Sequence, residues 1–219
     1  MITISKYNKE FNFIEKRPSI DEIFNDNYKV IEKGVKFEPN DIIIDIGANI
    51  GAFSILLAKL YSFITVYAIE PVAETFIKLC QNIQINNLTN IIPINITITG
   101  GEKISHIIYA PPDPGGASSF VTEINNLELK EIYVGGITLD DLLIHFNITK
   151  CKLLKIDCEG AEYNILYNST LLNRIIYLVG EFHDNDLLRN NGYYPDKLAD
   201  YCSKFVKRVL FFEYCKMHE

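Results

Sequence analysis

The sequence predicts an α/β protein built on a doubly wound, mostly parallel sheet of seven strands. Short apolar runs alternate along the chain with longer amphipathic stretches, which is typical of repeated strand–helix units. An isoleucine-rich run at 41–45 is followed by a turn with two glycines and then by a helical pattern. The 219 residues are 48% hydrophobic and 22% charged, which fits a globular chain with a substantial core.

Each element of this fold follows from hydrophobic periodicity. The run at 41–45 hardly alternates with polar residues, as expected for a central parallel strand covered on both faces. One or two helices are predicted at 18–33. The further predicted strands are 64–70, 91–96, 152–157, 175–182 and 205–214, and the further helices are 50–61, 72–86, 139–146, 160–172 and 195–203. One more strand beside the last would bring the sheet to seven.

The rhythm breaks between the third and fourth predicted strands, where prolines and glycines cluster. Two short antiparallel pieces at 104–109 and 132–137 flank a loop that is either a lid over the site or a mobile surface segment. Ser118 and Ser119 in this loop are candidate substrate-binding residues. The predicted organisation is a single domain at 1–219, with a helical N-terminal extension at 1–40 and an inserted region at 99–137.

Composition and charge narrow the functional classes. The net charge is −7 and no basic run occurs, so a nucleic-acid partner is not expected. Five cysteines without a Cys-x-x-Cys pair do not indicate a zinc or disulfide framework. The apolar stretch at 46–69 is interrupted by Gly47, Asn49 and Gly51, so it does not predict a membrane span. No signal-peptide pattern opens the chain, and a cytoplasmic location is predicted; no feature predicts an oligomeric state.

A strand–turn–helix segment at 45–51 (Asp-Ile-Gly-Ala-Asn-Ile-Gly) predicts a nucleoside site. Its glycines allow a sharp turn and a close approach to a ligand, and the following helix begins with free N–H groups. Glu70 ends the next predicted strand, 19 positions after Gly51, and its carboxylate can accept both ribose hydroxyl protons. The alternative is a glycine turn that only packs a helix against a strand.

The same segment favours a ligand with an amino-acid tail over a dinucleotide. A dinucleotide site has the pattern Gly-x-Gly-x-x-Gly, but Asn49 and Ala52 occupy its second and third glycine positions. The Asn49 amide would crowd a pyrophosphate, whereas it can bond the tail of S-adenosylmethionine, and Asp45 can meet the ammonium group of that tail. The predicted cofactor-binding residues are Asp45, Gly47, Asn49, Gly51, Glu70, Pro71 and Asn95, with Asn95 and Thr97 near the adenine edge.

A second group of candidate residues lies at, or just past, the ends of the fourth and fifth predicted strands. Asp157, Glu159, Glu181 and His183 are predicted to converge there as catalytic residues. If the methyl group of such a ligand is transferred to an alcohol, the alcohol must lose its proton. His183 is the predicted general base, because the usual pKa of histidine is near neutrality. Glu181 or Asp157 would orient its ring. In the alternative, the same four residues bind a divalent metal that holds the acceptor oxygen. Lys155, inside the fourth strand, needs a buried partner.

Several segments of the chain resemble the FkbM-type family of class I methyltransferases, which have a Rossmann-like fold. In order they are 45–51, 66–71 (Val-Tyr-Ala-Ile-Glu-Pro), 138–142 (Thr-Leu-Asp-Asp-Leu), 155–162 (Lys-Ile-Asp-Cys-Glu-Gly-Ala-Glu) and 181–183 (Glu-Phe-His). The resemblance spans about residues 40–183 and implies S-adenosylmethionine as methyl donor and, usually, oxygen as acceptor. The family's acceptors include sugars and natural products.

The sequence therefore predicts an O-methyltransferase that acts on a small hydroxylated acceptor, such as a glycan or a metabolite. An NAD(P)-dependent oxidoreductase on the same architecture is the first alternative, and the missing glycine pattern argues against it. A non-catalytic module that binds a nucleoside is the second, and the acidic and histidine positions argue against that.

Overall fold

A computed structural model of the protein describes residues 1–25, 30–31, 33–109 and 130–216. In chain order its elements are β1 (Ile2–Lys6), β2 (Lys9–Phe13), α1 (Pro18–Phe24), β3 (Ile42–Ile46), α2 (Ala52–Leu60), β4 (Thr65–Ile69), α3 (Ala73–Ile85), β5 (Ile91–Ile94), β6 (Thr97–Thr99), β7 (Ile104–Tyr109), β8 (Lys130–Thr138), α4 (Leu139–His145), β9 (Cys151–Ile156), α5 (Glu162–Asn168), a 3₁₀ turn (Leu172–Arg174), β10 (Ile175–Asp184), α6 (Asp186–Asn190), α7 (Pro195–Cys202) and β11 (Arg208–Lys216).

The main sheet has the strand order β11-β10-β9-β3-β4-β5, and each neighbouring pair is parallel. The doubly wound α/β prediction is confirmed, but the strand count is corrected from seven, mostly parallel, to six, all parallel, within the described residues. The C-terminal apolar segment supplies only β11, and no further strand lies beside it there.

The sheet has a hydrophobic core on each face, because successive side chains of a strand point to opposite sides. In β3, Ile43 packs with α2 and α3, whereas Ile44 and Ile46 pack with α4 and α5 on the other face. All three are at most 3% exposed. This burial on both faces explains why the strand reads as a continuous apolar run.

The N-terminal extension was predicted to be helical, and this is wrong for its first part. Strands β1 and β2 form an antiparallel hairpin, and α1 is the described helix of the region. Phe11 and Phe13, two positions apart, point to the same face of β2. Both are fully buried and belong to the core cluster that includes α2. The hairpin is tied to α3 by the amide oxygens of Asn82 and Asn86, which accept from the backbone N–H groups of Ile14 (2.9 Å) and Asn12 (3.0 Å).

The inserted region forms a small sheet in the order β6-β8-β7, in which β7 and β8 are antiparallel, as predicted. Ser118 and Ser119, the predicted substrate-binding residues, lie outside the described residues, so their role stays a prediction. Within the described ranges, no helix combines the length and apolar character that crossing a bilayer requires.

Candidate active site

A pocket lies at the carboxyl ends of β3, β4, β9 and β10, where parallel strands deliver their following loops to one edge of the sheet. Its described lining residues are Ser19, Glu22, Ile23, Ile46, Gly47, Ala48, Asn49, Ala52, Phe53, Ile69, Glu70, Pro71, Thr97, Ile98, Lys155, Asp157, Cys158, Glu159 and Glu181. Members of both predicted groups meet in this lining: Gly47, Asn49, Glu70 and Pro71 from the first, and Asp157, Glu159 and Glu181 from the second.

The floor of the pocket is the turn after β3, and its backbone explains the sequence pattern. Gly47, Asn49 and Gly51 all have positive φ, at 74°, 51° and 91°. A Cβ atom on Gly47 would lie 1.8 Å from the carbonyl oxygen of Asp157, so this glycine lets the β3 and β9 loops touch. Gly51 precedes α2 and does not line the pocket. Asn49 is a non-glycine residue in the left-handed region, which is typical of functional turns.

Glu70 forms the wall of the pocket beside β4, and its carboxylate is fixed by backbone groups. Oε2 accepts from the N–H of Asn49 at 3.0 Å, and Oε1 accepts from the N–H of Val72 at 2.8 Å. The side chain is buried, and this burial raises its pKa to about 7 against the opposing effect of the two N–H donors. Each oxygen keeps a second lone pair for a ligand. Pro71 also lines the pocket.

Asn95 has a structural position rather than a place in the pocket lining. Its amide nitrogen donates to the carbonyl oxygens of Glu70 (2.8 Å) and Pro71 (3.0 Å) and so braces the loop that carries the carboxylate. Thr97 and Ile98 of β6 line the pocket instead.

Asp45 is fully buried beneath the pocket and is not part of its lining. It lies opposite Lys155 in the β3–β9 register, with 3.2 Å between its Oδ1 atom and Lys155 Nζ, and its Oδ2 atom accepts from the Ser54 hydroxyl at 2.6 Å. Lys155 also donates to the Gly47 carbonyl at 2.7 Å and lies 3.7 Å from Asp157. Burial lowers the pKa of Lys155, but Asp45 and Asp157 outweigh it and hold that pKa above the usual value. The buried lysine is therefore a paired cation.

Asp157, Glu159 and Glu181 contribute three carboxylates to the pocket wall. Glu159 has a φ of 54°, another left-handed backbone at a non-glycine residue. Its Oε2 atom lies 3.2 Å from His183 Nε2. One ligand atom each from Asp157, Glu159 and His183 lies within 4.8 Å of the others, so these residues could hold a metal ion.

His183 lies behind this wall, 1% exposed, between two carboxylates. Its Nδ1 atom is 3.0 Å from Glu162 Oε1, and Glu162 in turn accepts from the N–H groups of Cys158 (2.8 Å) and Gly160 (2.9 Å). Glu162 and Glu159 are thus the carboxylates on the ring. Burial lowers the pKa of His183, but the two carboxylates outweigh burial and raise it well above its usual value. A ring held in its protonated form does not accept another proton.

Two contributions to the pocket were missed by the sequence analysis. Helix α1 lines it through Ser19, Glu22 and Ile23, although this helix ends at Phe24, well before β3 and the glycine turn in the sequence. Cys158 also lines it, and burial, together with Glu162 and Asp157, raises the pKa of its thiol well above the usual value. Only the position of Cys158 between Asp157 and Glu159 in the sequence could have indicated its place.

Comparison with known proteins relates the sequence that forms this pocket to a protein family. Residues 45–211 match the family described as the methyltransferase FkbM domain. Methyltransferase 1 of Beauveria bassiana is 25% identical over 173 residues, which cover 72% of this chain and 66% of that protein. The 31-O-demethyl-FK506 methyltransferase FkbM of Streptomyces tacrolimicus is 26% identical over 208 residues, which cover 78% of this chain and 79% of that protein. The chain spans just under two thirds of the length of the Beauveria relative.

Among solved structures, the precorrin-6y C5,15-methyltransferase of Geobacter metallireducens is similar with a TM-score of 0.49 and 11% identity, over 82% of this chain and 71% of that one. This similarity is too weak to bear on activity. The family match, in contrast, covers most of the chain, and it contains the glycine turn, Glu70 and the carboxylates after β9 and in β10. The chain therefore belongs to the FkbM methyltransferase domain family.

Proposed function

We propose that the protein is an S-adenosylmethionine-dependent O-methyltransferase whose acceptor is a small hydroxylated molecule, such as a sugar or a metabolite. The observation that carries this proposal is Glu70, a buried carboxylate that two backbone N–H groups orient. It lies beside a turn in which Gly47 packs so closely against the Asp157 carbonyl that no Cβ atom would fit. The family match and the name of the Streptomyces relative, which specifies a 31-O-demethyl acceptor, support it.

The residues present fit an adenosine with an amino-acid tail. Glu70 would accept from the two ribose hydroxyls, and the backbone of the turn at 47–49 would lie along the sugar and the tail. Thr97 and Ile98 offer a partly apolar edge for the adenine. The donor supplies a methyl group on a positively charged sulfur, which is already a strong electrophile. The protein must therefore chiefly position the acceptor and remove its proton.

We assign proton removal to Glu159, instead of to the predicted base His183. Glu159 lines the pocket, whereas His183 is buried behind it and its pKa is raised by its two carboxylate neighbours. In this scheme the acceptor hydroxyl would lie among Asp157, Glu159 and Glu181, and a Glu159 oxygen would take its proton. The methyl group would move from the donor's sulfur to the acceptor oxygen, so the S–C bond breaks as the C–O bond forms and S-adenosylhomocysteine leaves. The imidazolium of His183 holds Glu159 in place through the 3.2 Å contact.

Calorimetry with S-adenosylhomocysteine, the demethylated donor, tests the cofactor assignment. The wild-type protein is expected to bind it, whereas NAD and NADP are expected not to bind. A labelled-methyl assay with glycan, lipid, protein, RNA and small-molecule pools then tests the acceptor class. Label in the glycan or small-molecule pool is the expected result. Donor binding without transfer to any pool would favour a non-catalytic module, and label mainly in RNA would overturn the small-acceptor assignment.

Glu70 gives donor binding a defined pH dependence. The ionised carboxylate is the better acceptor for ribose hydroxyls, and the pKa of this group is raised to about 7 in the unliganded protein. We expect affinity for S-adenosylhomocysteine to be constant above pH 8 and to fall about tenfold per pH unit below about pH 6.5, as the carboxyl group takes up a proton. In Glu70→Gln, affinity should be lower at pH 8 and flat across this range. A wild-type profile that is equally flat would contradict the role of Glu70.

The cluster of Asp157, Glu159 and His183 also supports the alternative in which a divalent metal holds the acceptor oxygen. Dialysis against EDTA distinguishes the two schemes. Transfer by the dialysed protein at the wild-type rate supports Glu159 as base, and loss of transfer that Mg²⁺ or Mn²⁺ restores supports the metal.

A further inference from the structure

Helix α1 contributes a polar surface to the pocket that the proposed catalytic scheme does not use. Ser19, Glu22 and Ile23 line the pocket together with Ala52 and Phe53, the first two residues of α2. The hydroxyl oxygen of Ser19 is buried and has no hydrogen-bond partner among the described residues. Buried polar atoms are normally satisfied, so this hydroxyl needs a partner that the described residues do not supply, such as a polar ligand atom.

The start of α2 lines the same pocket and complements Glu22 in charge. Gly51 precedes this nine-residue helix and has no side chain to cap it, and the structure shows no side-chain cap bond there. The start of a helix carries a partial positive charge and directs N–H groups outward, which favours a carboxylate. The lining of one pocket therefore includes a negative side chain from α1 and the partly positive start of α2.

A ligand group with an ammonium and a carboxylate on one carbon fits this pair of walls. Glu22 would accept from the ammonium, the start of α2 would face the carboxylate, and the Ser19 hydroxyl would complete the polar contacts. An adenosine held at Glu70 beside the turn at 47–49 would direct such a group past Ala52 and Phe53. We propose that α1 forms the subsite for the amino-acid end of the methyl donor, with Glu22 and Ser19 as its recognition residues. This inference rests on the donor assignment made above.

The experiment compares two ligands that share adenosine and a thioether. S-adenosylhomocysteine has the amino-acid tail, and methylthioadenosine lacks it. Calorimetric affinities are measured for the wild type, Glu22→Gln, Ser19→Ala and the control Asp21→Asn. Asp21 is on the same helix, exposed, 3.5 Å from Lys16 and outside this pocket lining, so its substitution makes the same change in charge elsewhere.

We expect Glu22→Gln to weaken S-adenosylhomocysteine binding about tenfold, the usual size of a lost charge-assisted hydrogen bond, and to leave methylthioadenosine binding unchanged. Ser19→Ala should give a smaller loss with the same selectivity, and Asp21→Asn should change neither affinity. Thermal unfolding checks that each variant is folded.

If the wild type binds both ligands and Glu22→Gln binds both as the wild type does, the subsite on α1 is overturned while the proposed function stands. Equal losses for the two ligands overturn it as well, because the tail would then not be what Glu22 recognises. Failure of the wild type to bind S-adenosylhomocysteine overturns the proposed function and, with it, the subsite.

Discussion

Replacement of Lys155 by methionine is expected to lower the free energy of unfolding by about 3–5 kcal/mol, the usual cost of removing one partner of a buried ion pair. Asp45 is fully buried, and Lys155, 3% exposed, is the cation beside it. Methionine fills a similar volume but leaves this carboxylate without a positive charge. The Gly47 carbonyl would also lose its donor from the lysine. Urea unfolding at pH 7 measures the change.

Two further variants separate the ion pair from a general effect of losing a lysine. Lys16→Met removes an exposed partner of Asp21 and should cost about 0–1 kcal/mol. The double variant Lys155→Met/Asp45→Asn removes both charges and should recover part of the lost stability. If the single and double variants were equally unstable, the loss would come from packing and hydrogen bonds instead of from the unpaired charge of Asp45.

Replacement of Glu159 by glutamine is expected to lower turnover about 10²–10⁴-fold, the range typical of a lost general base. The amide keeps the size of the side chain and can still accept from His183, but it cannot take the acceptor's proton. Because the proposed donor contacts do not include this side chain, affinity for S-adenosylhomocysteine should stay close to that of the wild type. Steady-state kinetics and calorimetry provide the two measurements.

The matched control is Asp200→Asn, an exposed acidic position on α7, which should not change turnover. His183→Gln tests the positioning role of the ring: turnover should fall, but some should remain because Glu159 is still present. The ranking would be reversed if His183 were the base. Wild-type turnover in Glu159→Gln, combined with its complete loss in folded His183→Gln, would return proton removal to the histidine.

The central strands could be predicted from sequence because their burial is so uniform. The prediction of 41–45 for β3 differs by one residue from Ile42–Ile46, and that of 152–157 for β9 differs by one from Cys151–Ile156. The N-terminal hairpin was missed because its turn residues, Tyr7 and Asn8, both have positive φ without a glycine. Such a turn usually shows itself by Asn-Gly or Asp-Gly.

Some residues of the site could likewise be predicted from the local sequence, whereas others depend on contacts between distant segments. Glu70 and Asp157 could be placed because each is the last residue of a predicted strand, and the ends of parallel strands meet at one edge. The state of His183 depends on Glu159 and Glu162, which reach it only after β9 and β10 are paired. The contribution of α1 depends on its packing against α2, which no local pattern encodes. Hydrophobic periodicity therefore predicts the helices and strands, whereas contacts between distant loops can be seen only in the folded structure.

The protonation state of the Cys158 thiol determines whether a bound methyl donor would react with the pocket lining itself. A sulfonium-bound methyl group reacts readily with thiolates, and a thiolate is far more nucleophilic than the thiol. Cys158 lines the pocket, yet burial and the negative charges of Glu162 and Asp157 keep its sulfur protonated. Under the proposed function, burial and these two carboxylates would therefore protect Cys158 from methylation by the donor, and Asp157 would serve both this protection and the binding of the acceptor. If the proposed donor binds here, the protein could hold it until an acceptor arrives without methylating Cys158.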